Sequence, residues 1–239
     1  MKQDMPVVIL CGGRGTRLGK ETLPKGLIEI GGRPILWHIM KLYAAQGFER
    51  FILCLGFGAE AITAAFSRSD SLADPSWRIE FADTGLDTPT GGRIRKVAHM
   101  IDGPFMATYG DGVAQIDLRD LLEHHRTQGR YATITTARAR MPFGLVHIDE
   151  DSSVTGFSEK PRLDEWINGG FFVFEPEVID YLDEDSVLET QPFEKLVADG
   201  QMTAYRLDAF WACMDTYKEA LMLNELWDTD PPWRIWDAP

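Results

Sequence analysis

Val7-Val8-Ile9-Leu10-Cys11-Gly12-Gly13-Arg14-Gly15-Thr16-Arg17-Leu18 is the stretch that decides the fold. Four apolar residues in a row read as a buried strand, and the strand opens into a loop with three glycines. Such a loop brings backbone N–H groups close to an anion. Arg14 and Arg17 lie in it, and Lys25 follows Pro24 at its far end, so three cations are gathered where one phosphate would need fewer. A Walker loop would close on Gly-Lys-Ser/Thr, and a Rossmann turn would carry glycine where Leu18 stands. The spacing therefore predicts a nucleotide triphosphate held by a third scheme.

Outward from this loop, apolar runs alternate with helical patterns, the βαβ signature of a parallel sheet. Residues 7–10, 51–55, 77–82, 105–109 and 131–137 read as strands; residues 34–45, 59–66 and 117–128 read as helices, and Gly47 closes the first of these. Thr90 is expected to cap a helix running to residue 100. After residue 138 the texture changes. Strands at 143–148, 154–158 and 170–175 have short connections, as in a mixed element, and helices follow at 193–198 and 215–227. The expected fold class is α/β: a Rossmann-like, mostly parallel central sheet flanked by helices, with a smaller mixed β element. No linker is visible, so residues 1–239 read as one domain whose halves, 1–137 and 138–239, differ in task more than in autonomy.

Lys and Arg number 24 against 37 Asp and Glu, a formal charge of −13, which argues against a nucleic-acid or anionic-membrane partner. No window approaches the ~18 apolar residues of a membrane span. Cys11, Cys54 and Cys213 lie far apart without metal spacing and suit a reducing cytoplasm. An acidic protein that handles phosphates must gather cations locally. The 14–25 loop, Arg93 and Lys160 are candidates, while Arg95 and Lys96 read as a solvated helix face. None of the histidines His38, His99, His124, His125 and His147 is placed for chemistry. The Trp-rich end (Trp227, Trp233, Trp236) could fold back on the core or pack against a partner.

Individual chemical candidates each have a bland alternative. Asp111, between Gly110 and Gly112 at the carboxyl end of a strand, could hold Mg²⁺ or merely form a turn. Asp215 could be a second metal ligand or an N-cap. Glu159-Lys160-Pro161 could grip a phosphate and accept sugar hydroxyls, or be a solvated turn. Asn168-Gly169-Gly170, with Phe143-Gly144 opposite, could line a ligand or mark a bulge.

Their order along the chain carries more weight than any one of them. With Gly31-Gly32-Arg33-Pro34-Ile35-Leu36-Trp37-His38-Ile39-Met40, Asp83-Thr84-Gly85, Thr90-Gly91-Gly92-Arg93, Thr108-Tyr109-Gly110-Asp111-Gly112-Val113 and Met214-Asp215-Thr216, the chain resembles the sugar-1-phosphate nucleotidyltransferases, in particular the glucose-1-phosphate cytidylyltransferases. The resemblance implies the nucleotide-diphospho-sugar transferase fold. It implies transfer from an NTP, with CTP the first choice, to a hexose 1-phosphate, with glucose 1-phosphate the first choice, in a homo-oligomeric enzyme of polysaccharide synthesis. It also implies residue roles. Leu10, Gly12, Gly13, Arg14, Gly15, Thr16, Thr90, Gly91 and Gly110 would surround the nucleotide, with Arg17 on the pyrophosphate and Lys25 on the α-phosphate. Asp111 and Asp215 would hold Mg²⁺, Lys160 the sugar phosphate, and Gly144, Glu159, Asn168 and Gly169 the sugar. The segment 19–26 is shorter than in that family, with no basic residue before Pro24 and no proline after Lys25, and Cys11 stands where alanine is usual. The rivals are the same chemistry with GTP, UTP or dTTP and another sugar, or a catalytically silent sugar-nucleotide sensor.

Overall fold

The computed structural model describes residues 3–13, 23–67, 72–141 and 143–237. Arg14, Gly15, Thr16 and Arg17 lie outside the described residues, as do residues 19–22 of the shortened segment. Strand β1 (Gln3–Leu10) is followed by a short ribbon, β2 (Glu29–Ile30) and β3 (Arg33–Pro34), then α1 (Ile35–Ala44), β4 (Phe48–Leu55), α2 (Ala59–Ser67), β5 (Arg78–Asp83) and α3 (Thr90–Lys96). Next come β6 (Phe105–Tyr109), β7 (Gly112–Ala114), α4 (Leu118–Gln128), β8 (Ala132–Ala137), β9 (Leu145–Ile148), β10 (Val154–Ser158) and β11 (Ile167–Phe174). The chain closes with α5 (Gln191–Ala198), β12 (Met202–Leu207), β13 (Trp211–Cys213) and α6 (Tyr217–Trp227).

The main sheet has seven strands in the order β12-β8-β11-β6-β1-β4-β5, and β11 alone runs against its neighbours. The apolar run that opened the sequence is central: Val7 pairs with Phe51 on one side and Met106 on the other. Because side chains alternate across a strand, Val7 and Ile9 enter one core and Val8 and Leu10 the other. A strand buried on both faces needs a continuous apolar run, which this one has. Both halves of the chain contribute to this sheet. β9 and β10 stand apart as a two-stranded antiparallel hairpin.

Four expectations change. Pro89, not Thr90, precedes α3, which ends at Lys96 before a separate 3-10 turn over Ala98–Met100. Thr216, not Asp215, caps α6, in a reciprocal capping box with Glu219. Lys96 is half-buried, its ammonium donating to the Thr84 carbonyl (3.0 Å), so only Arg95 fits a solvated face. The edge strand β12 was not legible, because its alternation is broken by Thr203 and Arg206 and it lies only half-buried.

The aromatic tail folds back on its own chain. Trp227, Trp233 and Trp236 surround His38, with the Trp227 ring 4.7 Å from the imidazole. His38 Nε2 lies 2.8 Å from the Ile30 carbonyl and Nδ1 accepts from the Trp233 indole N–H (3.4 Å). These partners place the ring proton on Nε2. Burial pushes the His38 pKa down to about 4, so the ring is neutral.

Candidate active site

The first turn of the glycine loop is described through Gly13. The Phe57 N–H donates to the Gly12 carbonyl (3.0 Å), and the Gly110 N–H donates to the Leu10 carbonyl (3.1 Å), tying the ends of β1 and β6 together. Arg93 is buried beneath this turn. Its guanidinium donates to the carbonyls of Gly12 (3.2 Å), Leu55 (2.9 Å), Gly85 (3.0 Å) and Leu86 (3.3 Å) and to the Thr84 hydroxyl (2.6 Å). It therefore clamps the carboxyl ends of three parallel strands instead of reaching into the cleft as a free cation. Gly12 must be glycine, because a Cβ there would fall on that guanidinium, while Gly13 faces open space. The side of Gly91 without a side chain is covered by protein: a Cβ would lie 2.8 Å from the Ser186 carbonyl.

Lys25 arrives on a 3-10 turn over Lys25–Leu27, closed by the Leu27 N–H on the Pro24 carbonyl (2.9 Å). Its ammonium donates to Asp111 Oδ2 (2.6 Å) and Asp215 Oδ1 (2.5 Å). Three separated stretches thus meet at one nitrogen. The reason is local: β13 pairs with β7, and the Met214 N–H donates to the Asp111 carbonyl (2.9 Å), which sets residue 215 beside residue 111. Glu219 accepts the backbone N–H of Asp215 and of Thr216 (2.7 Å each), so the Asp215 carboxylate is not used for capping. Burial works against the charge on Lys25, but the two carboxylates outweigh it and hold its pKa above the ordinary value. Burial pushes Asp111 up, Asp215 and Glu219 add to that push, and Lys25 opposes it. Among the described residues, two carboxylates thus converge on one ammonium.

This donor set suits a hard divalent cation. Among the described residues no group of three or more His, Cys, Asp or Glu is gathered to cage a metal. Mg²⁺ does not need one, since it takes one or two carboxylates and completes its shell from phosphate and water. Asp111 and Asp215 fit that requirement.

The residues expected on the sugar side are more dispersed. Asn168 Nδ2 donates to the Tyr109 hydroxyl (3.0 Å), and Asn168 Oδ1 accepts the Gly170 N–H (2.9 Å). The Tyr109 hydroxyl donates to Glu189, whose other oxygen accepts from the Thr90 hydroxyl (2.7 Å). Burial pushes the Tyr109 pKa up and Glu189 adds to it, so the phenol keeps its proton. Thr90 and Asn168, expected on the nucleotide and sugar sides, are thereby joined through Tyr109 and Glu189. Neither linking residue was singled out from sequence as a site residue; Tyr109 figured only as a strand end within the Thr108–Val113 motif, and Glu189 fell outside every element and motif read there. The Gly169 carbonyl accepts the Trp211 indole N–H (2.7 Å). Gly144, Glu159 and Lys160 sit on the β9–β10 hairpin, where a Cβ on Gly144 would lie 3.0 Å from the Glu159 carboxylate. Lys160 is exposed, 3.5 Å from Glu159, and holds a left-handed backbone (φ 46°) unusual for a residue with a side chain.

The first glycines of the loop at the end of a central parallel strand, with paired carboxylates at neighbouring strand ends, define a phosphate-handling α/β protein. The chain belongs to the nucleotidyl transferase family, which it matches over residues 6–223. It is 42% identical over 255 residues to a probable glucose-1-phosphate cytidylyltransferase of Bacillus subtilis, covering 97% of this chain and 100% of that protein. A glucose-1-phosphate cytidylyltransferase of Salmonella typhimurium is 39% identical, over 98% of this chain and 100% of its own. A mannose-1-phosphate guanylyltransferase of Mycobacterium tuberculosis is 35% identical over 89% of this chain and 62% of its own. Among solved structures, HddC from Yersinia pseudotuberculosis superposes with a TM-score of 0.75 at 25% identity, over 93% of this chain and 99% of that one. No helix among the described residues is long and apolar enough to cross a membrane.

Proposed function

We propose that this protein catalyses Mg²⁺-dependent transfer of the cytidylyl group from CTP to α-D-glucose 1-phosphate, releasing pyrophosphate and forming CDP-glucose. The observation that carries the chemistry is the meeting of Lys25, Asp111 and Asp215 at the end of β6, beside the glycine loop. The base and sugar are supported by two relatives near 40% identity that align over their entire length and carry that activity in their names.

The reaction needs no general base, because the sugar phosphate oxygen is already an anionic nucleophile. That oxygen attacks the α-phosphorus, the bond from the α-phosphorus to the bridging oxygen breaks, and pyrophosphate leaves with the electron pair. The difficulty is to align two mutually repelling anions. Bound Mg²⁺ supplies charge neutralisation of the phosphates. In this reading Asp111 and Asp215 hold the ion, Lys25 faces the α-phosphate, and Arg14, Arg17 and the loop glycines cradle the triphosphate. Lys160 grips the sugar phosphate, while Asn168 and Glu159 orient the hydroxyls. The free cysteines fit the reducing cytoplasm that we propose as its place.

The test is pyrophosphate release with Mg²⁺, glucose 1-phosphate and each of CTP, UTP, dTTP, GTP and ATP. A signal with CTP alone is expected. A signal with GTP and mannose 1-phosphate instead would move the assignment toward the mycobacterial relative's activity while keeping the mechanism. Silence with every pair of nucleotide and sugar phosphate would overturn it.

A further inference from the structure

Hydrogen-bond donors approach Glu189 from two sides in fixed order. On one side the Gly170 N–H, which can only donate, holds Asn168 Oδ1, so Asn168 Nδ2 must donate to the Tyr109 oxygen and the Tyr109 proton must go to Glu189. On the other side the Leu188 N–H donates to the Thr90 hydroxyl (2.9 Å), so the Thr90 proton must also go to Glu189. Two chains of donors end on one carboxylate, which alone among side chains can accept both without offering a proton. The loop carrying Glu189 is fixed by the same neighbourhood: the Gly92 N–H donates to the Ser186 carbonyl (3.0 Å), and no Cβ could fit on Gly91 or Gly92 beneath it. Glu189 itself stays exposed.

We infer that Glu189 is a positioning residue that sets the hydrogen-bond polarity of both substrate walls, acting on the sugar wall through Tyr109 and Asn168 and on the nucleotide wall through Thr90. With Glu189 in place, Asn168 has one N–H in use and, among the described residues, one uncommitted donor to offer a sugar hydroxyl. A neutral amide at position 189 has one oxygen and one NH₂, so it satisfies only one chain. The other must reverse, and a reversed Tyr109 would donate toward Asn168 and compete with the Gly170 N–H for its oxygen. The carboxylate thus couples the choice of sugar to the choice of nucleotide without touching either reacting phosphate. The inference rests on the proposed placement of Thr90 and Asn168 on the two walls.

The experiment compares Glu189→Gln, Tyr109→Phe and Thr90→Val with the full-length wild type, reading CTP and glucose 1-phosphate affinities by calorimetry beside both KM values. Tyr109→Phe keeps the ring that packs on Gly170 and Phe172 and removes only the hydroxyl. The expected result is a partition. Tyr109→Phe weakens glucose 1-phosphate about tenfold and leaves CTP within about twofold; Thr90→Val does the reverse; Glu189→Gln weakens one of the two, because its amide still satisfies one chain. Tyr109→Phe combined with Glu189→Gln should be no worse for the sugar phosphate than the worse single variant. A general loss of folding would weaken both ligands in all three variants and cannot give this split. Unchanged sugar-phosphate affinity in Tyr109→Phe, or unchanged affinity for both ligands in Glu189→Gln, overturns the inference, as does a double variant that binds the sugar phosphate more weakly than either single one. A wild type that binds both ligands but does not turn over would overturn the proposed function alone, and one that binds neither would overturn both.

Discussion

The two walls proposed for the cleft are built from unlike material. The proposed nucleotide wall rests on β1, β4 and β6, where residues 7–10, 51–55 and 105–107 are fully or almost fully buried, and Arg93 clamps the strand ends with five hydrogen bonds. Much of the proposed sugar wall rests on the β9–β10 hairpin, where Ile148, Val154 and Phe157 are 68%, 66% and 64% exposed. A two-stranded sheet without a layer behind it is marginal by itself. The difference teaches where rigidity is needed. In-line transfer tolerates little misplacement at the α-phosphate; Lys25, assigned there, stands on a 3-10 turn but is held by Asp111 at the end of β6, a strand that cannot move without breaking the core. Groups that select a sugar can stand on a more yielding element.

The largest effect should fall on the rigid wall. Asp111→Asn keeps the size of the side chain and the Asp215 partner of Lys25 but removes a charged oxygen from the proposed metal site. Turnover is expected to drop by at least about a thousandfold, ~4 kcal/mol, in a pyrophosphate-release assay. Activity within a factor of ten of wild type would remove Asp111 from the metal-binding role and weaken the contrast between the walls. Next comes a stability effect confined to the packed half. His38 has its pKa lowered from 6.5 to about 4, so the unfolded chain binds the proton more readily than the folded one. Stability from the neutral ring is complete above pH 6.5 and is lost as the pH falls toward 4, by up to ~3 kcal/mol. Urea unfolding at a series of pH values should show that slope, and His38→Gln should flatten it. A wild-type stability independent of pH over this window would contradict the buried neutral ring.

The same contrast explains what could be read in advance. The buried core strands were legible because burial on both faces demands unbroken apolar runs, as in residues 7–10 and 51–55, and their alternation with helical patterns pointed to parallel pairing. The place of Asp111 at a strand end was legible from the apolar run before it, whereas a carboxylate between glycines could equally have been an ordinary turn. Its alliance with Asp215 was legible only by resemblance, since the contact depends on β13 pairing with β7 across a separation that no local spacing encodes. Thr90 illustrates a failure of local logic. A threonine before a helical pattern usually caps it, yet here the hydroxyl is taken by the Leu188 N–H and Glu189, ninety-odd residues away. β12 failed for a related reason: an edge strand needs only half a hydrophobic pattern, and half a pattern is easily missed. Arg93 was read as a cation for phosphate because its role is visible only once five acceptors from three strand ends converge on it.

A smaller effect, specific to one substrate, is expected on the hairpin. Lys160→Ala should raise the KM for glucose 1-phosphate roughly 30- to 150-fold, the ~2–3 kcal/mol of one lost charge-assisted contact, and leave the KM for CTP nearly unchanged. Parallel changes in both KM values would mean that the hairpin does not act on the sugar phosphate alone.

The smallest effect is the most direct test of the comparison, because it probes the hairpin's apolar face without touching a ligand. Val146, Ile148, Val154 and Phe157 share one side of the ladder, by the pairing of Val146 with Phe157 and of Ile148 with Val154. If that side faces water as the exposures state, Ile148→Thr or Val154→Thr removes little buried area, and threonine keeps the β-branched shape that a strand favours. The change in unfolding free energy should stay within about 0.5 kcal/mol. The matching substitution Val8→Thr in the fully buried β1 places a hydroxyl in the core and should cost several times more, ~2 kcal/mol or above. Equal costs at the two sites, read by urea unfolding, would mean that the hairpin is as well covered as the central strand. The sugar wall would then owe its freedom to something other than exposure.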